Sequence, residues 1–102
     1  MLFSLSMFPI GRGDSLADPV AEVVDEIDRA GLRYQVTAMD TQVEGEWDEV
    51  MPVIRAAQER LLEEYPRVFI SLTVDEHKDA SDDRLHGAVD DVGEVLGRSV
   101  PR

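Results

Sequence analysis

The sequence predicts an α+β sandwich: a four-stranded antiparallel sheet with helices on one face, plus one more helix at the C-terminal end. Three observations predict it. Hydrophobic periods of two and of 3.6 residues succeed one another in the order βαββαβ. The second and third strand-like segments are separated only by a tight turn. Finally, 102 residues leave room for one core and no second one.

Taken in order, residues 2–8 alternate, with Phe3, Leu5 and Met7 on one side and Ser4, Ser6 and Phe8 on the other, and Pro9 closes the strand. A loop through Gly11, Arg12, Gly13, Asp14 and Ser15 leads to a helix marked by Leu16, Val20, Val23, Val24 and Ile27. Pro19 fits its first turn, Asp18 or Ser15 its cap, and Gly31 its end. Tyr34, Val36 and Ala38 then alternate with Gln35, Thr37 and Met39, and a turn near Asp40 joins them to residues 41–44 as a β-hairpin.

Trp47, Val50, Met51, Ile54, Leu61 and Tyr65 mark a second amphipathic helix that Pro66 ends. Pro52 costs little if that helix begins near Asp48 and bends it if it begins earlier. Residues 67–75 form the clearest strand, with Val68, Ile70, Leu72 and Val74 opposite Phe69, Ser71, Thr73 and Asp75. After an acidic loop over 75–83, Leu85, Val89, Val92 and Leu96 mark a last helix weakened by Gly87 and Gly93. Right-handed crossovers and one hairpin make this order a ferredoxin-like sandwich. Its helices cover the face of Phe3, Leu5, Met7, Tyr34, Val36, Val68, Ile70, Leu72 and Val74. The strand over 67–74 is left as a long edge, available for pairing with another strand.

Composition removes several functional classes. Ten Lys+Arg against 22 Asp+Glu give a net charge of −12, which repels nucleic acid and anionic membranes and is compatible with cationic or neutral small molecules. The absence of cysteine excludes disulfides, thiolate zinc sites and thiol catalysis. The apolar start MLFSLSMFPI has no basic region or cleavage pattern, and no run approaches the roughly 20 apolar residues of a membrane span, so a cytoplasmic location is expected.

The face away from the helices is the informative one. It carries Ser4, Ser6, Phe8, Gln35, Thr37, Met39, Phe69, Ser71 and Thr73, joined by either Thr41 or the Gln42 and Glu44 pair. In so acidic a chain a solvated sheet face would carry many charges, whereas this one carries short hydroxyls and amides that are polar yet cheap to desolvate. Two sheets can pack there in an oligomer, leaving hydroxyls to bond a small polar ligand. The competing reading is ordinary solvated strand surface.

Other motifs are weaker. Gly11-Arg12-Gly13 lacks the spacing of a phosphate-binding loop and reads as a flexible connection. Asp75, Glu76, His77, Asp79, Asp82 and Asp83 lack an EF-hand spacing and read as a solvated acidic loop. His77 and His86 fit no zinc motif, and nothing marks an activated nucleophile, so neither a metal site nor a catalytic residue is expected.

Thr41, Val43, Glu44 and Gly45 before an acidic helix start resemble the thiamine-binding protein family. Pro9 followed by Gly11, Gly31-Leu32 before Tyr34, Met39 ahead of Thr41 and Arg67-Val68 opening the last strand fall in the same family order, over roughly residues 2 to 96. The resemblance implies one ferredoxin-like domain over 1–102, non-enzymatic and cytoplasmic, that binds thiamine or its hydroxymethylpyrimidine part and assembles as a homotetramer built from dimers. The chain departs from the family at His77 and Lys78, where arginine is usual, and at Trp47, which replaces an aliphatic residue and reads as packing.

Thiamine joins an aminopyrimidine to a permanently cationic thiazolium. The expected ligand-binding set is therefore Ser4, Ser6, Thr37, Thr41, Ser71 and Thr73 as hydroxyl partners, Phe8 and Met39 as apolar walls, and Glu44 as counter-charge. Phe69 can extend the wall, and Asp75 is an alternative counter-charge. The alternative function is a structural or regulatory oligomerisation module with no small-molecule ligand. An enzyme using Glu44 as general acid or base is disfavoured, because the face has few groups that titrate near neutral pH.

Overall fold

Burial alternates without a break along β1 (Leu2–Pro9), placing Phe3, Leu5, Met7 and Pro9 inward. In the computed structural model, which describes residues 1–11, 16–78 and 83–101, this strand is followed by α1 (Ala17–Arg29), β2 (Arg33–Val36), β3 (Thr41–Glu44), α2 (Trp47–Glu64), β4 (Val68–Asp75) and α3 (Arg84–Leu96). The strands form one antiparallel sheet in the order β2-β3-β1-β4, which is the ferredoxin-like arrangement. Phe3, Leu5 and Met7 pack under Val23 and Ile27 of α1 and Val50, Ile54, Ala57 and Leu61 of α2. Each large apolar side chain removed from water here contributes about 1.5–3 kcal/mol.

Arg60 of α2 clamps the two helices together by donating to Asp25 at 2.8 Å and to Glu26 at 3.3 Å. The hydrogen bond from Arg60 holds the Asp25 carboxyl below the usual carboxylate range. Leu16 holds the cap position of α1, so Asp18 sits in the first turn, where the helix dipole favours an acid, and not at the cap; Ser15 lies outside the described residues. Gly31 ends α1 at φ 74°, a conformation other residues rarely adopt.

α2 begins at Trp47, with the Glu46 N–H donating to Glu49 Oε1 at 3.0 Å, so Pro52 falls just past its first turn and the helix runs on to Glu64. Trp47 packs on Phe3 with ring centroids 6.3 Å apart, yet remains half-exposed.

Two local differences from the sequence expectation concern the hairpin. β2 stops at Val36 instead of running to Met39, because the Thr37 N–H donates to the Asp40 carbonyl at 2.8 Å and closes a turn. Val36, expected under the helices, is 48% exposed at the end of this short edge strand. At the other end of the chain, Asp83 accepts from the His86 N–H at 3.3 Å and starts α3, of which only Leu85 is buried.

Candidate functional site

Register decides which side chains share the open face. Leu5 pairs with Thr41 and Leu2 with Glu44, and directly opposed residues point to the same side of a sheet. Thr41 therefore joins Leu5 on the helix side, where it is buried, and the Gln42 and Glu44 pair completes the open face. Of the two alternatives for the open face the register thus selects the Gln42 and Glu44 pair, and Thr41, expected among the ligand-binding hydroxyls, lies behind that face, because residues 41 and 44, three apart on a strand, point to opposite sides.

Glu44 reaches the open face but is already bound there. Its Oε2 accepts from the Arg84 N–H at 2.7 Å and its Oε1 from the Leu85 N–H at 3.2 Å, while the Arg33 guanidinium lies 3.6 Å away. The carboxylate is buried against the first turn of α3, satisfying N–H groups that a helix start leaves without partners. Its expected role as ligand counter-charge is taken by the fold. Asp75, the alternative, is hydrogen-bonded to the Arg84 guanidinium, which holds its carboxyl below the usual range.

The carboxylate at the other end of β3 has a different environment. Asp40 accepts from Ser4 Oγ at 2.5 Å and from Thr37 Oγ1 at 2.6 Å, while Ser6 Oγ donates to the Met39 carbonyl at 3.0 Å. Thr37 Oγ1 also accepts the N–H groups of Met39 and Asp40, at 3.2 and 3.1 Å. These bonds fold the hairpin turn across the open face onto β1. Among the described residues Asp40 forms no ion pair. Two of the lone-pair positions on its carboxylate are used, and a carboxylate offers about four.

Beneath this turn is a cavity of about 260 Å³. β3 pairs with β1 only from Leu2 to Leu5, so beyond Leu5 no strand flanks β1 on that side. The gap is roofed by residues 36–41, floored by Ser6, Met7 and Phe8, and backed by Val20 and Val23 of α1. Ser6, Phe8, Thr37, Met39 and Thr41 all line it, so Thr41 meets the same cavity from its inner side.

Ser71 and Thr73 stand opposite Ser6 and Ser4 on β4 and extend the hydroxyl strip, and Phe69 stacks obliquely on Phe8 at 5.3 Å between centroids. Ser6, Phe8, Thr37, Met39 and Thr41 are thus brought together at the cavity, Ser4 is bonded to the turn above it, Ser71 and Thr73 lie on the strand beyond β1, and Glu44 stands at the far end. Asp40, which also lines the cavity, is absent from the expected set, and the signal available for it was a threonine three residues ahead of an aspartate in a turn. Among the described residues no cluster of three His, Asp or Glu is arranged to hold a metal ion. Asp79 and Asp82 of the acidic loop, and Arg12 and Gly13 of the first loop, lie outside the described residues.

Compared with known proteins, the chain matches the thiamine-binding protein family over residues 3–95. It belongs to that family. A UPF0045 protein of Methanothermobacter thermautotrophicus is 34% identical over 95 residues, covering 90% of this chain and 95% of the relative. A UPF0045 protein of Mycobacterium tuberculosis is 36% identical over 76 residues, 74% of each chain. The crystal structure of a hypothetical protein from Methanocaldococcus jannaschii superposes with TM-score 0.79 at 26% identity over 94% of both chains. A Thermotoga maritima structure, described as a candidate thiamine biosynthesis/salvage protein, matches in fold with TM-score 0.77 at 21% identity, covering 89% of this chain and 96% of its own. Family membership places this chain among binding proteins, and among its described residues no helix is long and apolar enough to cross a membrane.

Proposed function

We propose that this protein binds thiamine, or its hydroxymethylpyrimidine part, without chemical conversion, in the cavity beneath the 36–41 turn. The observation that carries the reading is Asp40: a carboxylate with no cationic partner among the described residues, held by two hydroxyls at the wall of a cavity of about 260 Å³. A carboxylate so placed accepts from an exocyclic amine or faces a thiazolium cation. Ser6 and Thr37 supply hydroxyls, and Phe8, Met39 and Val36 supply apolar walls. The volume suits one heterocycle better than a diphosphate ester, since pockets for larger ligands run to roughly 300–1,000 Å³. Family membership supports the ligand class.

In this reading the protein is a cytoplasmic carrier or sensor, and not an enzyme, because the side chains at the cavity are hydroxyls, a thioether, aromatic and aliphatic groups and one carboxylate. It assembles as a homotetramer built from dimers, with Ser71, Thr73 and Phe69 of the open face buried between copies. Calorimetry tests the ligand: saturable thiamine binding is expected, with thiamine diphosphate binding no better, because its phosphates approach a chain of net charge −12. No thiamine binding at millimolar concentration would overturn the reading in favour of an oligomerisation module without a ligand.

A further inference from the structure

The turn over residues 37–40 is bonded more tightly to itself than to the strand beneath it. Within the turn, the Thr37 N–H donates to the Asp40 carbonyl at 2.8 Å. Thr37 Oγ1 donates to Asp40 Oδ1 at 2.6 Å and accepts the Met39 and Asp40 N–H groups at 3.2 and 3.1 Å. One threonine thus ties the segment together, and a segment so tied moves as a single piece.

Its attachment to β1 is of another kind. The ladder between β3 and β1 ends at the Thr41–Leu5 pair, and the ladder between β2 and β3 at the Val36–Thr41 pair, so no ladder pair reaches residues 37–40. Two serine hydroxyls hold the turn down instead: Ser4 Oγ donates to Asp40 Oδ2 at 2.5 Å, and Ser6 Oγ to the Met39 carbonyl at 3.0 Å. Water can replace such bonds at small net cost, whereas the flanking ladders are cooperative.

What lies beneath is sheltered. Leu5, Met7 and Val23 line the cavity, yet each is no more than 3% exposed, so solvent barely reaches this inner wall while the turn is down. Met39, on the same turn, is 87% exposed, so among the described residues little packs over it from outside.

We propose that residues 37–40 form a rigid lid over this cavity, hinged at Val36 and Thr41 and latched to β1 by Ser4 and Ser6. Asp40 rides on the lid. Opening lifts its carboxylate away from the cavity floor, so a ligand held between the two leaves only when the latch is released. The inference rests on the thiamine reading for what the lid admits, and not for the motion itself.

The chain has no cysteine, so a single thiol reports access. Val23→Cys places one on the inner wall, and Ala57→Cys places one in the core away from the cavity, where it reports opening of the whole fold. Relative to the unfolded chain, iodoacetamide should modify Val23→Cys at least tenfold faster than Ala57→Cys. Its rate should also be nearly flat in low urea, because a local opening exposes little surface. Adding Ser4→Ala and Ser6→Ala should speed the Val23→Cys reaction about tenfold or more, the worth of the two latch bonds. Glu44→Ala weakens the fold at the far end of β3, and should speed Ala57→Cys while leaving Val23→Cys within about twofold.

Amide relaxation dispersion tests the same motion without a cysteine: in the Ser4→Ala, Ser6→Ala variant, residues 37–40 should exchange with one shared rate. Equal labelling of the two thiols, no acceleration by the serine substitutions, or separate rates along the turn would overturn the lid even if thiamine binds. Labelling in the expected pattern supports the lid even if calorimetry finds no thiamine binding.

Discussion

Glu44 and Asp40 are two carboxylates four residues apart at opposite ends of one strand, and they do different work because of what already occupies them. Glu44 is buried and accepts two backbone N–H groups of α3 with a guanidinium nearby. Asp40 is bonded by two side-chain hydroxyls and has no cationic partner among the described residues. A carboxylate whose lone pairs and charge are satisfied by the fold holds the fold; one left with charge and acceptor capacity at a cavity is available to a ligand. Residue type alone does not separate these cases, and the bonded neighbours do.

The largest expected effect breaks the structural member of this pair. Glu44→Ala leaves the Arg84 and Leu85 N–H groups without their acceptor, and each buried donor so stranded costs about 1–3 kcal/mol. A loss of about 3 kcal/mol is expected in urea unfolding, with thiamine affinity per folded molecule unchanged. The next effect tests the other member: Asp40→Asn should lower thiamine affinity about 5- to 150-fold, the worth of a charge-assisted contact of 1–3 kcal/mol, while stability moves by less than about 1 kcal/mol. If calorimetry found Glu44→Gln weakening thiamine and Asp40→Asn inert, the assignment of roles would be reversed.

A smaller effect sharpens the comparison. Ser4→Ala removes one of the donors that orient Asp40 without touching the cavity lining. Because Ser4 acts on the ligand only through Asp40, its cost to affinity should be a fraction of that of Asp40→Asn, about 0.5–1.5 kcal/mol or roughly 2- to 12-fold, and no further loss should follow when it is combined with Asp40→Asn. Additive losses in that cycle would mean that Ser4 contacts the ligand by itself.

These assignments mark how far the sequence could be read. β1 and β4 were legible to within one residue at their ends, because one face of each packs on helices or grooves and alternation records it directly. The hairpin was legible as an element and not in its detail: alternation continues through Met39, whereas the side chain of Thr37 and the carbonyl of Asp40 end β2 early. The side on which Thr41 and Glu44 lie depends on their pairing with Leu5 and Leu2, which one strand cannot record. The partner that claims Glu44 is a backbone N–H forty residues away, and no local pattern announces it. Asp40 looked like a turn residue, which it is; its bond to β1 and its place at the cavity appear only when the turn is laid over Ser4.

The smallest effect concerns acid, and it probes the same end of the sheet as Glu44. Asp75 is held below the ordinary carboxylate value of 3.8, first by its hydrogen bond to Arg84 and then by that residue's charge. A carboxyl whose folded value is depressed binds protons more weakly folded than unfolded. Its contribution is therefore complete above about pH 4 and is lost as pH falls through the depressed value. Asp25, held down by Arg60 between α1 and α2, follows the same sign in the same window. Arg84→Ala should raise the Asp75 midpoint toward 3.8 in a carboxyl-detected NMR titration and leave that of Asp25 in place. Because Arg84 also gives its N–H to Glu44, and alanine keeps that N–H, α3 should stay docked in the variant at neutral pH. If α3 instead came away, with exchange protection lost over residues 84–96, the side-chain bond to Asp75 and not the buried Glu44 would be what anchors the helix.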